Sequence, residues 1–507
     1  LNGSREDVII EDYDFAYINT ATGQFTVSNF GDENALVSYF SRVNYSFNNR
    51  YLLSLTGRFD GSSKFPEANK FGFFPAVSAG WRISEESFMD FLPLLSDLKI
   101  RVSWGVNGNS NIPSNGVRTL FDNNYVATSY GINGAPTGMA PYGYRATHTG
   151  NPNLRWESTT QTNIGLDFGI FANQLTGSLD VYKKVTDGML WEASATPLLG
   201  EGARMWINAA DMTNTGFEMT LTYKNAPNRK FAYSVTGNMS LYRNKIDNIP
   251  EDFLQQFGGN GLGENILGRP LRSEYGFIAD GIFKTQDEVN AAADQSGKGI
   301  GRIKWKDLDN DGRITWEHDR TWIANYDPDF MFGIDFNASY GNFDFSMFWQ
   351  GLVGNDVYND WLVQAHFLNL LIWPGYNHTA DILDAWTPNN MDSNIPALTW
   401  VNANQENRKS TYYIQNGSYL KMRNLEVGYN FPTTLIKKLN LRNLRLYGSV
   451  QNLISLKKSW GDDAFTGWDP EVNRHSVYYN SEYDFVSQFS QNYPRPAIFS
   501  LGINATF

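Results

Sequence analysis

Thr162-Asn163-Ile164-Gly165-Leu166-Asp167-Phe168-Gly169-Ile170 is the stretch that decides the fold: every second residue from Thr162 suits an apolar medium, and those between are small or polar. A period of two puts successive side chains on opposite faces of a strand. The alternation resumes at once, with Leu175, Gly177, Leu179 and Val181 set against Thr176, Ser178, Asp180 and Tyr182. It returns in Phe217, Met219, Leu221 and Tyr223, in Phe231, Tyr233, Val235, Met239 and Leu241, in Phe343, Phe345, Met347 and Trp349, and in Leu444, Leu446 and Val450. A soluble β-sandwich alternates in the same way, so the links between strands must discriminate. Very short links at Asn48-Asn49, Ala172-Asn173, Asn225 to Asn228 and Gly341-Asn342 alternate with very long ones at about 108–159, 243–329, 352–416 and 453–495. Intermediate links fall at 62–70 and 84–96. Segregation of loop length by side is the pattern of an outer-membrane barrel, with tight periplasmic turns and long extracellular loops. The final stretch agrees: Phe499, Leu501, Ile503, Ala505 and Phe507 form one apolar stripe opposite Ser500, Gly502, Asn504 and Thr506. The expected fold is all-β, a transmembrane antiparallel β-barrel.

Composition supports a barrel over a helical membrane protein. The 507 residues include 34 Phe, 27 Tyr, 15 Trp and 45 Gly. No run approaches the ~20 apolar residues of a membrane helix; stretches such as Phe367 to Trp373 are short. A mean hydropathy of −0.41 is compatible with strands that average lipid-facing and lumen-facing residues. The lack of cysteine removes mispairing in an oxidising envelope. A net charge of −12 argues against a nucleic-acid partner, which calls for a basic surface. The chain opens Leu1-Asn2-Gly3-Ser4-Arg5 without Met or an apolar leader, which implies processing or a start upstream. About 13 strands can be counted from the sequence, an odd number where single-chain bacterial barrels are even. With Phe507 in the periplasm, the first strand, Ala35 to Phe47, runs inward. Residues 1–34 are then an extracellular loop segment and 35–507 the carboxy-terminal part of a barrel. The expectation is a fragment, or one polypeptide of a split barrel, unless Glu274 to Lys284 forms an uncounted hairpin.

Several stretches, in order, resemble one family. Ser38 to Tyr45, Tyr51-Leu52-Leu53, Arg58-Phe59-Asp60-Gly61-Ser62-Ser63-Lys64-Phe65 and Phe74 to Arg82 are similar to the middle of SusC/RagA-type TonB-dependent transporters. So are Asn151 to Glu157 with Gln161 to Gly165, Asn214 to Glu218, Gly351 to Tyr358, Tyr419 to Asn424, and Gly467-Trp468-Asp469-Pro470-Glu471. The resemblance runs nearly end to end. It implies a 22-stranded barrel, a plug within it, and a link through TonB to the inner membrane. It also implies a SusD-like surface lipoprotein acting as a lid, and oligosaccharide or peptide substrates. The plug, the TonB-contacting segment and the early strands have no counterpart among these residues.

Asp307-Leu308-Asp309-Asn310-Asp311-Gly312-Arg313-Ile314 is the sharpest chemical motif. Carboxylates at positions one, three and five followed by Gly wrap oxygen ligands around a hard cation. Arg313 would offer its backbone carbonyl, and Ile314 would anchor the loop to apolar surroundings. Position twelve, the place of the closing acid, is His318, flanked by Glu317 and Asp319. In the family's similar loop an Asp fills this role, which selects Asp319 with a one-residue shift. The metal set is Asp307, Asp309, Asp311, Arg313 and Asp319, for a Ca²⁺ that stiffens an extracellular loop; the plainer alternative is a solvated acidic turn.

Enzymatic chemistry is not expected. The five His (148, 318, 366, 378, 475) form no zinc spacing, and no nucleophile-elbow, Walker or dinucleotide fingerprint occurs in a strand-to-helix setting. The glycines within Phe257 to Gly263 suit a flexible loop, and Asp462-Asp463 a solvated acidic pair. Trp206, Trp373, Trp400, Trp460 and Trp468 fall in long loops, where packing in loop cores or at the lid is favoured over stacking on ligand. The expected function is a barrel component of a TonB-dependent SusC/SusD-type importer in the outer membrane. The alternatives are a scaffold subunit of an envelope complex without active transport and, disfavoured by the loop lengths, a passive porin.

Overall fold

Within hydrocarbon, each backbone N–H and C=O must find a partner in the protein, which restricts spanning strands to laterally paired ladders. The computed structural model describes residues 2–5, 25–28, 33–122, 143–194, 204–225, 230–251, 253–254, 259, 264–359, 361–368, 378–437, 441–461, 463–471 and 494–506. Among these, thirteen long strands pair successively and antiparallel in one sheet. They are β1 (Leu36–Phe47), β2 (Tyr51–Ser62), β3 (Phe71–Arg82), β4 (Leu95–Asn109), β5 (Glu157–Ile170), β6 (Leu175–Ser194) and β7 (Arg204–Lys224). The series continues with β8 (Phe231–Asn248), β9 (Phe330–Tyr340), β10 (Phe343–Val353), β11 (Tyr419–Asn430), β12 (Asn443–Lys457) and β13 (Ile498–Thr506). The two end strands, β1 and β13, are each paired on one side within the sheet among the described residues. Phe507 lies outside the described residues, as does most of 1–34.

Register carries the sequence alternation across the sheet. Ile164 stands opposite Val102 on one side and Val181 on the other. Phe217 meets Leu241, and Met219 meets Met239. Ile334 meets Trp349, and Leu446 meets Ile503. These side chains make up the outward face, where Leu55, Val102, Ile164, Val181, Leu501 and Ile503 are exposed. Aromatic rings gather at its short-turn, periplasmic end: Phe47 faces Tyr51, Tyr223 faces Tyr233, and Phe343 packs on Tyr429 with centroids 4.9 Å apart. Such a girdle sits where a ring can keep its apolar body in lipid and its polar edge in the headgroups.

The opposite, lumenal face carries charges in pairs. The Arg101 guanidinium reaches across three strands, donating to Asp167 at 2.8 and 2.9 Å and to Asp180 at 2.9 Å. Arg445 repeats the device, binding Asp344 and, at 2.6 Å, Glu426. Each guanidinium lies over a glycine of the intervening strand. A Cβ on Gly165 would come 2.6 Å from Arg101 Nη2, and one on Gly428 would come 2.5 Å from Arg445 Nη2.

The tight links are where expected. Asn48 and Asn49 both have positive φ, and the Arg50 N–H donates to the Phe47 carbonyl at 2.9 Å, a primed turn that suits the strand twist. Gly341, at φ +59°, allows the two-residue turn between Tyr340 and Phe343. Two expectations need correction. Residues 431–442 make a further link of intermediate length on the short-turn side, holding the helix Thr433–Ile436. Glu274 to Lys284 is not a barrel hairpin: Ser273–Phe277 pairs with Arg320–Asn325, and Ala279–Ile282 pairs with Ile303–Trp305, outside the barrel sheet. Both are short strands whose partners lie within the same long loop, so counting apolar runs cannot separate them from barrel strands.

Leu55 and Ser54 are neighbours on opposite faces of β2. Leu55→Arg should lower the stability of the folded barrel in lipid by about 2–4 kcal/mol, while an Arg on the lumenal face costs far less. Unfolding titrations of L55R and S54R in vesicles check this, and equal losses would contradict the assignment of faces.

Candidate functional site

The long loops are folded against one another. Phe277, Ile303, Trp305 and Tyr326, from the β8–β9 link, bury themselves with Tyr358, Leu362, Phe367 and Tyr413, from the β10–β11 link. Polar side chains lace the two together from within. Glu406 accepts from the Ile303 N–H at 2.9 Å and from Arg302 at 2.7 Å. Gln295 donates to Asn404 at 2.6 Å and to the Ile303 carbonyl at 2.8 Å, and accepts from the Trp305 N–H at 3.0 Å. Burial pushes the Glu406 carboxyl up, against the opposing pull of Arg302. The Arg408 guanidinium lies 4.4 Å above Phe277 and 5.0 Å above Trp305, and burial lowers it to about 10. Ring faces stabilise a desolvated cation of this kind.

The acidic loop closes upon itself at the edge of this core. Asp307 accepts from the Asn310 and Gly312 N–H groups at 2.7 and 2.9 Å, Asp309 from Asp311 at 3.1 Å, and Asp311 from Arg313 at 2.7 Å. Asn310 and Gly312 take positive φ to make the curl. Asp319 is fully buried and accepts from the Leu308 N–H at 2.8 Å and the Thr315 N–H at 2.6 Å. Oxygens of Asp307, Asp309 and Asp319 lie within 4.8 Å of one another, and ligand atoms of Asp309, Asp311 and His318 form a second such group. Asp309 belongs to both groups, with Asp307 and Asp319 in one and Asp311 in the other. The Arg313 N–H turns to Asp311, while its neighbours Gly312 and Ile314 bond the Asp294 backbone. Ile314 packs against the apolar core as expected. His318, passed over as closing ligand, is nonetheless drawn in, with Nδ1 3.1 Å from Asp309. Asp307, Asp309, Asp311 and Asp319 present oxygen donors only, a set suited to a hard divalent cation.

A second cluster joins two stretches singled out in the sequence for other reasons. Lys421, buried on β11, donates to Asp469 at 2.6 Å and to Glu471 at 2.9 Å. Arg423 donates to Glu471 at 2.6 Å and to Gln350 at 2.7 Å. The loop after β12 is thereby fastened onto the wall of the barrel. The Asn151 to Glu157 stretch does similar work: Leu154 and Trp156 are buried with Phe65, Phe74 and Ile112, and Trp156 Nε1 donates to the Lys70 carbonyl at 3.1 Å. Nothing in the spacing of either pair of motifs announces that they meet.

The tryptophans divide. Trp206 lies on β7 and not in a long loop, and packs on the Phe65–Trp156 cluster. Trp400, Trp460 and Trp468 are exposed, so burial in loop cores does not account for them; Trp468, 69% exposed, leans on Trp361 at 5.7 Å. Trp373, Asp462, His475 and all of Phe257 to Gly263 except Gly259 lie outside the described residues.

Burial pushes the Glu471 carboxyl up, but hydrogen bonds from Arg423 and Lys421, with their charges, outweigh it and hold it at about 2. A folded value below the unfolded one, about 4.3, means stabilisation that is complete above that pH and lost as pH falls towards 2. Amide exchange of 463–471, corrected for intrinsic rates, should accelerate over this window. Lys421→Ala leaves the buried Asp469 without its cation, at about 3–5 kcal/mol, while Glu471 keeps Arg423, and should accelerate exchange even at neutral pH. Unchanged protection in K421A would show that the cluster does not fasten the loop.

A profile of the family described as TonB dependent receptor-like, beta-barrel, matches residues 4–453. TonB-dependent receptor P3 of Formosa agariphila is 30% identical over 503 residues, which take in 97% of this chain and 48% of the relative. TonB-dependent receptor SusC of Bacteroides thetaiotaomicron is 30% identical over 488 residues, 94% of this chain and 44% of the relative. The RagAB peptide importer in its closed-closed state superimposes with a TM-score of 0.74 at 23% identity, over 98% of this chain and 51% of that one. The chain spans about half the length of the curated relatives it matches. It belongs to the TonB-dependent receptor-like β-barrel family and forms an outer-membrane barrel of the SusC/RagA type.

Proposed function

We propose that this barrel is the membrane-spanning part of a TonB-dependent importer of oligosaccharides or peptides. In this reading a SusD-like surface lipoprotein covers its extracellular mouth, and TonB supplies energy through a plug that these residues do not provide. The observation that carries the proposal is the extracellular layer: two long loops share one apolar core and a buried polar network instead of standing free. A pre-ordered surface with exposed tryptophans suits a lid partner or a sugar or peptide ligand, because little ordering entropy is lost on docking. The intact protein, purified natively in mild detergent, should bring a SusD-like lipoprotein and plug peptides into the same mass-spectrometric peptide map. Cells lacking the gene should lose uptake of one oligosaccharide or peptide class. A complex without plug peptides, in cells whose uptake is unchanged, would replace import with the scaffold role.

Within that layer, Asp307, Asp309, Asp311 and Asp319, with the Arg313 backbone, would hold a Ca²⁺ that stiffens the β8–β9 link. The ion would add charge neutralisation to a curl the chain already forms by its own hydrogen bonds. Terbium luminescence sensitised through Trp316, which lies between Ile314 and Asp319 in the sequence, should report binding to the intact protein, displaced by Ca²⁺. Asp309→Asn and Asp319→Asn should each weaken it by on the order of tenfold or more, since affinity follows ligand charge. No sensitised emission, or emission indifferent to both substitutions, leaves the loop as an acidic turn.

A further inference from the structure

The link between β3 and β4, residues 83–94, carries exposed apolar side chains on the periplasmic end of the barrel. Phe88 is 57% exposed, Phe91 72% and Leu94 63%, with Leu92 beside them. Both flanking strands have neighbours on each side in the sheet, so no missing strand would cover these residues. Glu86 fixes the direction of the link. It accepts from the Tyr51 hydroxyl at 2.6 Å and from Trp81 Nε1 at 3.1 Å, and both of those rings belong to the outward face. The segment therefore folds outward beside the aromatic girdle and away from the lumen.

A neighbouring turn adds to the same patch. The Phe171 N–H donates to the Leu94 carbonyl at 2.9 Å. Phe171 has φ +55°, a left-handed conformation that bulky residues avoid, and its ring is exposed. The link contains Glu85, Glu86 and Asp90 but no Lys or Arg, so nothing in it attracts anionic headgroups. Its recognition chemistry is apolar.

We propose that Phe88, Phe91, Leu92 and Leu94, with Phe171, insert into the periplasmic leaflet of the membrane at the boundary of acyl chains and headgroups, as a monotopic anchor continuous with the barrel's girdle. A patch of this kind partitions by its buried apolar area, independently of lipid charge. The partner is therefore the phospholipid itself. The anchor fixes the height of the barrel on its periplasmic side.

The chain contributes no cysteine. Single-cysteine variants of the intact protein, with any cysteine elsewhere in it replaced by Ser, accept an environment-sensitive NBD label. Phe88→Cys, Phe91→Cys and Leu94→Cys would be labelled in vesicles of zwitterionic phosphatidylcholine carrying brominated acyl chains. The labels should emit blue-shifted light and be quenched by bromine as strongly as one at Leu53→Cys on the lipid face. Quenching should be several-fold beyond that at Ser346→Cys in the lumen. Ser87→Cys keeps every apolar anchor in place and should behave like Phe88→Cys. Water-like emission quenched by aqueous iodide overturns the proposal. So does blue-shifted emission that bromine fails to quench, which would mean that a protein surface covers the patch.

Discussion

Main-chain hydrogen bonds in an environment without water are the constraint from which the rest of this structure follows. A spanning strand without a lateral partner leaves each amide and carbonyl unsatisfied at several kcal/mol apiece. Thirteen strands in continuous antiparallel register avoid that loss between β1 and β13. The ladder fixes side-chain direction at every position, so lipid selects one face and water the other. It also drives irregular backbone to the two ends of the barrel.

The two ends then obey different rules. On the periplasmic side links are short or of intermediate length, and rings such as Phe343 and Tyr429 settle against lipid. On the extracellular side the chain returns to the physics of a soluble protein, with an apolar centre, buried ion pairs and satisfied amides. Buried pairs such as Arg302–Glu406 add little net stability compared with an apolar filling, but they penalise any arrangement that separates them. They select one packing of the loops over the many that an apolar core alone would accept.

The barrel was legible in the sequence because lipid imposes a strict period of two and the turns punctuate it. The alternation from Thr162 to Ile170 survives directly as the register with β4 and β6. The curl of the acidic loop was legible too, since its carboxylates are close in sequence and Gly312 marks the turn. What could not be read were the long-range associations. Lys421 with Asp469, Gln295 with Asn404, and Arg101 with Asp167 and Asp180 depend on which strands and loops are brought side by side. Ser273–Phe277 has the composition of a strand and is one, but its partner belongs to the loop. Local pattern specifies that a segment is extended, and only topology specifies what it extends beside. The exposed tryptophans illustrate the same limit, because loop position alone does not separate a ring that fills a core from one that faces outward.

The shared core of the two largest loops has a consequence for how such barrels diversify. Glu406 and Asn404 sit on one loop and their partners Arg302, Gln295 and Ile303 on the other, about a hundred residues away in sequence. A change to either loop meets the unaltered face of the second, so the pair behaves as a single inherited unit. Exchange of one loop between relatives would strand buried charge, whereas exchange of both together would preserve the packing. Surface novelty in this layer is therefore confined to its outward residues, such as the exposed Trp400 and Val401 of the β10–β11 link.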